Sequence, residues 1–223
     1  MTLPAGGLSE ARDQAARARL VEAGRLLFAR PFAFFHGAQR LDQLPPPEGV
    51  EVAFAGRSNV GKSSLLNALA GQRALARVSN TPGRTRQLNL FRAEGTPLVL
   101  VDMPGYGFAR ASKPVKEDWQ GLMFDYLRGR PNLRRVLLLL DARIETKPAD
   151  RAVMDLLDQA AVTFQIVLTK ADGARPAALA ARAAEARALA RAHPAGHPLV
   201  LVTSSAAGSG IAELRAELAA LAG

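Results

Sequence analysis

The stretch Gly56-Arg57-Ser58-Asn59-Val60-Gly61-Lys62-Ser63-Ser64 constrains the chain more than any other. A glycine, four residues and then Gly61-Lys62-Ser63 is the spacing of a phosphate-binding loop, whose backbone N–H groups wrap an anion while the lysine reaches its outer oxygens. The glycines are needed because the backbone must come close to the anion through angles that a Cβ forbids. Such a loop works between a strand and a helix. Val50 to Ala55 is a mostly apolar run of strand formers and Ser64 to Ala70 reads as helix, so that context is met. A glycine turn without a ligand is the alternative, and the downstream segments argue against it.

Four of those segments stand at the ends of apolar runs. Leu98-Val99-Leu100-Val101 runs into Asp102-Met103-Pro104-Gly105. This puts a carboxylate at a strand's C-terminal end, where open α/β sheets bind ligands and where an Asp can hold Mg²⁺ through water. Val136 to Leu140 is a second buried run, ending at Asp141. Phe164 to Leu168 leads into Thr169-Lys170-Ala171-Asp172. A carboxylate there can accept from both N1–H and the exocyclic amine of guanine, a donor pair that adenine lacks, so the reading is GTP over ATP. A Lys-x-Asp tripeptide alone is weak evidence; its place after a buried strand gives it weight. Leu199 to Val202 is the last strand, and the backbone N–H groups of Thr203-Ser204-Ser205-Ala206 could meet the guanine oxygen.

Helices are expected over Val115 to Leu127 (Trp119, Met123 and Tyr126 as a packing stripe), Pro148 to Ala160 and Pro176 to Ala192. Ile211, Leu214, Leu218 and Leu221 mark a closing helix. Strands alternating with helices predict an α/β fold with a mostly parallel, doubly wound sheet. Gln87 to Phe91 adds one antiparallel edge strand, joined through Glu94-Gly95. The polar stretch 77–86 between them reads as a mobile loop.

Upstream, residues 9 to 30 read as an amphipathic helix capped by Ser9, with Ala16, Leu20, Ala23 and Leu27 as its apolar stripe. Phe32, Phe34 and Phe35 form a short apolar cluster, His36 stands alone as a structural histidine, and the proline run from Leu44 to Gly49 breaks regular structure. The chain therefore divides into an N-terminal helix and linker, 1–47, and a domain, 48–223. There is no cysteine, which excludes disulfides, a thiol nucleophile and thiolate metal sites. No apolar run approaches the roughly 20 residues of a membrane span and the N-terminus lacks a secretion signal, so the expected location is cytoplasmic. The formal net charge of +9 favours a polyanionic partner such as nucleic acid. Only five of the 29 basic residues are lysine, a compositional bias toward arginine, but exchanging one for the other leaves the charge unchanged.

With these motifs in order, the chain resembles a Ras-like P-loop GTPase domain, and more closely the bacterial EngB (YihA/YsxC) ribosome-biogenesis GTPases of the TrmE-Era-EngA-EngB-like superfamily, over nearly all of residues 48–222. The likeness rests on residues 56–64, on Thr81-Pro82-Gly83-Arg84-Thr85 with Leu88-Asn89-Leu90-Phe91, and on Asp102-Met103-Pro104-Gly105-Tyr106-Gly107-Phe108-Ala109. Arg84, where relatives often carry lysine, leaves the chemistry unchanged, and the N-terminal helix is longer than the family core needs. The resemblance implies catalytic roles for Lys62, Thr85 and Gly105. It implies GTP contacts along Gly56 to Ser64, Gly83, Arg84, Thr85, Arg86 and Gln87, at Asp102, Met103, Pro104 and Gly105, and at Thr169, Lys170, Ala171, Asp172, Thr203, Ser204, Ser205 and Ala206. Magnesium would be held by Ser63 and Thr85, with Asp102 behind a water.

The activity so implied is hydrolysis of GTP to GDP as a slow switch in assembly of the large ribosomal subunit, with that subunit or its rRNA as partner, a link to cell division and septation, and a monomeric state. The glutamine that orients water in Ras would fall just after Gly105, where this chain has Tyr106, so slow turnover reset by a partner is expected. In Era- and TrmE-like GTPases an Asn at the position of Asn59 helps hold a potassium ion; the alternative is that Asn59 only hydrogen-bonds the loop. An ATP-using metabolic kinase and a division-associated scaffold with a structural nucleotide are the competing classes, and Asp172 argues against the first.

Overall fold

The computed structural model describes residues 5–76, 87–106 and 113–223, of which 5–13 and 113–120 as backbone alone. In chain order the elements are α1 (Ala5–Leu27), β1 (Phe32–Ala38), β2 (Val50–Gly56), α2 (Lys62–Ala70), β3 (Leu88–Ala93), β4 (Leu98–Asp102), α3 (Lys113–Gly129), β5 (Leu133–Asp141), α4 (Pro148–Gln159), β6 (Phe164–Thr169), α5 (Pro176–Ala192), β7 (Leu201–Val202) and α6 (Ile211–Ala222). Among the described residues one seven-stranded sheet forms, in the order β1-β3-β4-β2-β5-β6-β7.

The five strands from β4 to β7 are parallel, and β3 runs against β4, so the α/β architecture is the one expected. β3, however, is not the edge. β1 pairs outside it, antiparallel, from Phe32 opposite Ala93 to Ala38 opposite Leu88. The sheet thus includes residues on both sides of the 47/48 boundary drawn from the sequence. His36 has the structural role expected of it, its Nε2 2.5 Å from the Gln43 carbonyl, tying β1 to the 3₁₀ turn that follows. α1 begins at Ala5, so Ser9 lies inside the helix and does not cap it.

Side-chain alternation along β2 divides the core in two. Val52 and Phe54 face a cluster with Leu65, Leu66 and Leu69 of α2 and Leu214 and Leu218 of α6. Ala53 and Ala55 face the opposite cluster, with Met123 and Tyr126 of α3 and Met154 and Leu157 of α4. The central strands are apolar on both faces because helices cover both. Each fully buried leucine contributes on the order of 1.5–3 kcal/mol. Every parallel strand thereby delivers its C-terminal end to one edge, the edge that carries the motifs.

The opposite edge holds a buried charge cluster that periodicity did not reveal. Glu51, 1% exposed, accepts from the Tyr126 hydroxyl at 2.9 Å and from Arg130 Nε at 2.8 Å, and Arg130 also donates to the Pro45 carbonyl at 2.8 Å. It locks the end of α3 and the proline run onto the start of β2.

Candidate functional site

The phosphate loop leaves β2 at Gly56, where glycine is required: a Cβ would sit 2.7 Å from Val60 Cγ1 and 3.1 Å from Leu139 Cβ. Asn59 and Gly61 take left-handed angles, φ 64° and 106°. The turn closes with Val60 N–H on the Arg57 carbonyl at 3.1 Å, and α2 starts at Lys62, so its free N-terminal N–H groups and positive dipole end face the loop. Lys62 donates from Nζ to Asp102 Oδ1 at the end of β4. Both groups are largely buried, with side chains 13% and 9% exposed. A phosphate would compete for the ammonium and a hydrated cation for the carboxylate.

Beyond Asp102 the backbone runs alongside the loop. Met103 N–H donates to the Phe54 carbonyl at 3.1 Å, Tyr106 N–H to the Gly56 carbonyl at 3.2 Å, and Ser58 N–H back to the Tyr106 carbonyl at 3.2 Å. Gly105 is thereby held against the loop: a Cβ on it would lie 3.1 Å from Ser58 Oγ. The Tyr106 ring turns inward, 5% exposed, and its hydroxyl donates to Asp150 Oδ1 at 2.9 Å. Burial, then the Asp150 charge, push that phenol well above its usual range, so it stays a donor.

The second half of the site is built on β6 and β7. Thr169 Oγ1 is 2.6 Å from the Val60 carbonyl, joining the end of β6 to the phosphate loop. Lys170, at φ 58°, extends Nζ to the Asn59 carbonyl at 2.5 Å and to Asp141 Oδ2 at 3.0 Å, and its stem lies beside Gly61. Asp172 Oδ1 accepts from the Ser204 hydroxyl. The amides of Thr203 and Ser204 are engaged by the carbonyls of Leu168 and Ser209, while Ser205 and Ala206 line the open cleft. That cleft, about 600 Å³, runs from Gly61 and Ser64 past Lys170 to Asp172, room enough for a nucleoside.

Asp141 escaped the sequence reading of the site. Burial alone would raise its pKa, but the Arg143 guanidinium and backbone N–H, with the Lys170 ammonium, hold it well below the usual carboxylate range. It buttresses Lys170 from below. The available signal was its place, at the C-terminal end of a buried strand like Asp102. Arg57, at 3.5 Å from Asp150, was read from the sequence as a GTP contact and not as the partner of a buried carboxylate. Gln87 Nε2 donates to Asn89 Oδ1 at 2.8 Å and lies toward Gly37 of β1. Gly83, Arg84, Thr85 and Arg86 lie outside the described residues, as does the side chain of Trp119. The structure thus gathers Gly56 to Ser64, Asp102 to Gly105, Thr169 to Asp172 and Thr203 to Ala206 on one edge.

Residues 51–170 match the family described as 50S ribosome-binding GTPase. The chain is 70% identical over 201 residues to the probable GTP-binding protein EngB of Granulibacter bethesdensis, covering 90% of each. It is 63% identical over 202 residues to that of Gluconobacter oxydans, covering 91% of this chain and 88% of the relative. The crystal structure of a probable GTP-binding protein engB superposes with a TM-score of 0.63 at 21% identity, over 77% of this chain and 98% of the other, a likeness of fold alone.

Proposed function

This chain belongs to the EngB family of GTP-binding proteins and hydrolyses GTP, and from that premise we propose that it acts as a slow, partner-reset switch in assembly of the large ribosomal subunit, with a link to cell division. The observation that carries the nucleotide side of this reading is that the Lys62–Asp102 pair shares one sheet edge with Lys170 and Asp172, which line a nucleoside-sized cleft. The family description and the net charge of +9 support a ribosomal, RNA-rich partner. A cytoplasmic monomer fits this work; among the described residues no helix is long and apolar enough to cross a membrane.

In this reading the amides of Asn59 and of Gly61 to Ser64 and the Lys62 ammonium hold the β- and γ-phosphates, and Asp172 pairs with the two guanine donors. Lys170 lays its stem along the loop and keeps it closed through the Asn59 carbonyl. Hydrolysis is in-line attack of water, so the protein supplies position and charge rather than covalent chemistry. Tyr106 donates its hydroxyl to Asp150 rather than to that water, and slow turnover is therefore expected.

The donors Ser63 and Asp102, a hydroxyl and one carboxylate, suit Mg²⁺, which takes hard oxygen ligands together with phosphate and water. Ser63 would bind it directly and Asp102 through water, with Thr85 as the remaining ligand of the proposal. When bound, the cation neutralises charge developing on the phosphate oxygens. Asn59 is exposed and sits at φ 64° in the loop, and a potassium ion is proposed beside its side-chain carbonyl oxygen. Wild type should turn over GTP faster in KCl than in NaCl at equal ionic strength and Asn59→Ala should not; equal wild-type rates would remove the ion from the scheme. Co-sedimentation with ribosomal subunits tests the partner. Pelleting with the large subunit in a non-hydrolysable GTP analogue and release in GDP is the expected result, and binding indifferent to nucleotide would favour a scaffold instead.

A further inference from the structure

Asp150 stands in the first turn of α4 and is 2% exposed, yet it has no part in the nucleotide contacts just described. Among the described residues three groups meet on its carboxylate. The Tyr106 hydroxyl donates to Oδ1 at 2.9 Å, Arg57 Nε lies 3.5 Å from the same oxygen, and Lys147 N–H donates to Oδ2 at 2.9 Å. The last is a local helix cap. The other two come from the two segments that flank the site, the phosphate loop and the stretch after Asp102. Those segments are themselves bridged, residue 57 against residue 106, with Tyr106 N–H on the Gly56 carbonyl and Ser58 N–H on the Tyr106 carbonyl. One carboxylate therefore clamps a two-residue extension of the sheet, and Gly105 falls inside the clamp, facing Ser58.

Burying a carboxylate costs several kcal/mol unless its partners are well placed. The partners here are a neutral phenol, a backbone amide and a guanidinium at the edge of pairing distance, a set that fixes geometry more than it compensates charge. We propose that Asp150 is a positioning residue for GTP hydrolysis, holding Arg57 and Tyr106 together so that the Gly105 N–H stays at the γ-phosphate side of the loop. This rests on the reading of Gly105 as phosphate-facing. GDP has no γ-phosphate, so the clamp acts on the triphosphate alone.

The test uses the full-length protein with Tyr106→Phe, which removes one hydroxyl, and Asp150→Asn, which removes the charge. Affinity for GDP, affinity for a non-hydrolysable GTP analogue, the single-turnover rate and the melting temperature are measured for each. Analogue affinity and rate should fall about tenfold, the scale of one lost hydrogen bond to a charged group, while GDP affinity stays within about twofold. The double variant should be no worse than Asp150→Asn, because both changes act through one carboxylate. Equal losses for both nucleotides, or unchanged discrimination in Tyr106→Phe, would overturn the proposal. Lys62→Ala separates the underlying reading: if the wild type hydrolyses GTP and Lys62→Ala does not, failure of the Tyr106 and Asp150 variants to discriminate counts against the clamp alone.

Discussion

In the proposed reading Asp172 carries the choice of base on one side chain, which accepts from the Ser204 hydroxyl. Asp172→Asn should weaken GTP and admit xanthosine triphosphate, whose C2 carbonyl can accept from the new amide. A site built around paired donors discriminates on the order of a thousandfold or more, so competition binding should show the preference inverted. A variant that still prefers GTP would mean that the carboxylate does not read the base. Lys62, Asp102 and Asp172 were legible in the sequence because each sits at a fixed spacing from a glycine or at the end of an apolar run. Asp141, Asp150 and the tie of Arg57 to Asp150 were not, since their significance lies in partners far along the chain: Lys170 for the first, and for the other two a meeting across the sheet edge. Local pattern carries no such information.

The elements were legible where burial on both faces made apolar runs, and α5 was placed to the residue, Pro176–Ala192. They were misread where contact depends on smallness. The stripe assigned to α1 gives Leu20 to solvent, at 42% exposed, and the face that packs carries Gly24 and Phe28. A Cβ on Gly24 would come 2.6 Å from the Arg215 backbone, so the two helices cross at a glycine that a hydrophobicity count scores as nothing. β1 was hidden for a similar reason. Its exposed Phe34 and Phe35 and a bulge between Phe34 and His36 break the alternation that marks a strand. The Glu51 cluster gives a prediction at this scale. Glu51→Ala would strand Arg130, whose side chain is only 7% exposed, and should cost about 3–5 kcal/mol in urea unfolding with little change in GDP affinity per folded molecule. A loss under about 1 kcal/mol would show that water replaces the carboxylate without penalty.

At the scale of the whole molecule, the charge of +9 sets an expectation for association. If ribosome binding rests on phosphate contacts, pelleting with the large subunit should drop steeply between roughly 50 and 200 mM salt as counterions are released. Binding indifferent to salt would point to an apolar protein partner. The packing of α1 along α6 carries a consequence of another kind. The first helix of the chain rests on the last, and Phe28 lies under the Arg215 guanidinium, its centre 5.6 Å away. During synthesis, residues 14–28 lack the helix they rest on until residues 211–222 have been made, and β2 likewise lacks part of its cover. Closure of that face must follow synthesis of residues 211–222, a long-range event of the slow kind. A chain cut short before residue 211 would leave Phe28, Leu65 and Leu69 facing water.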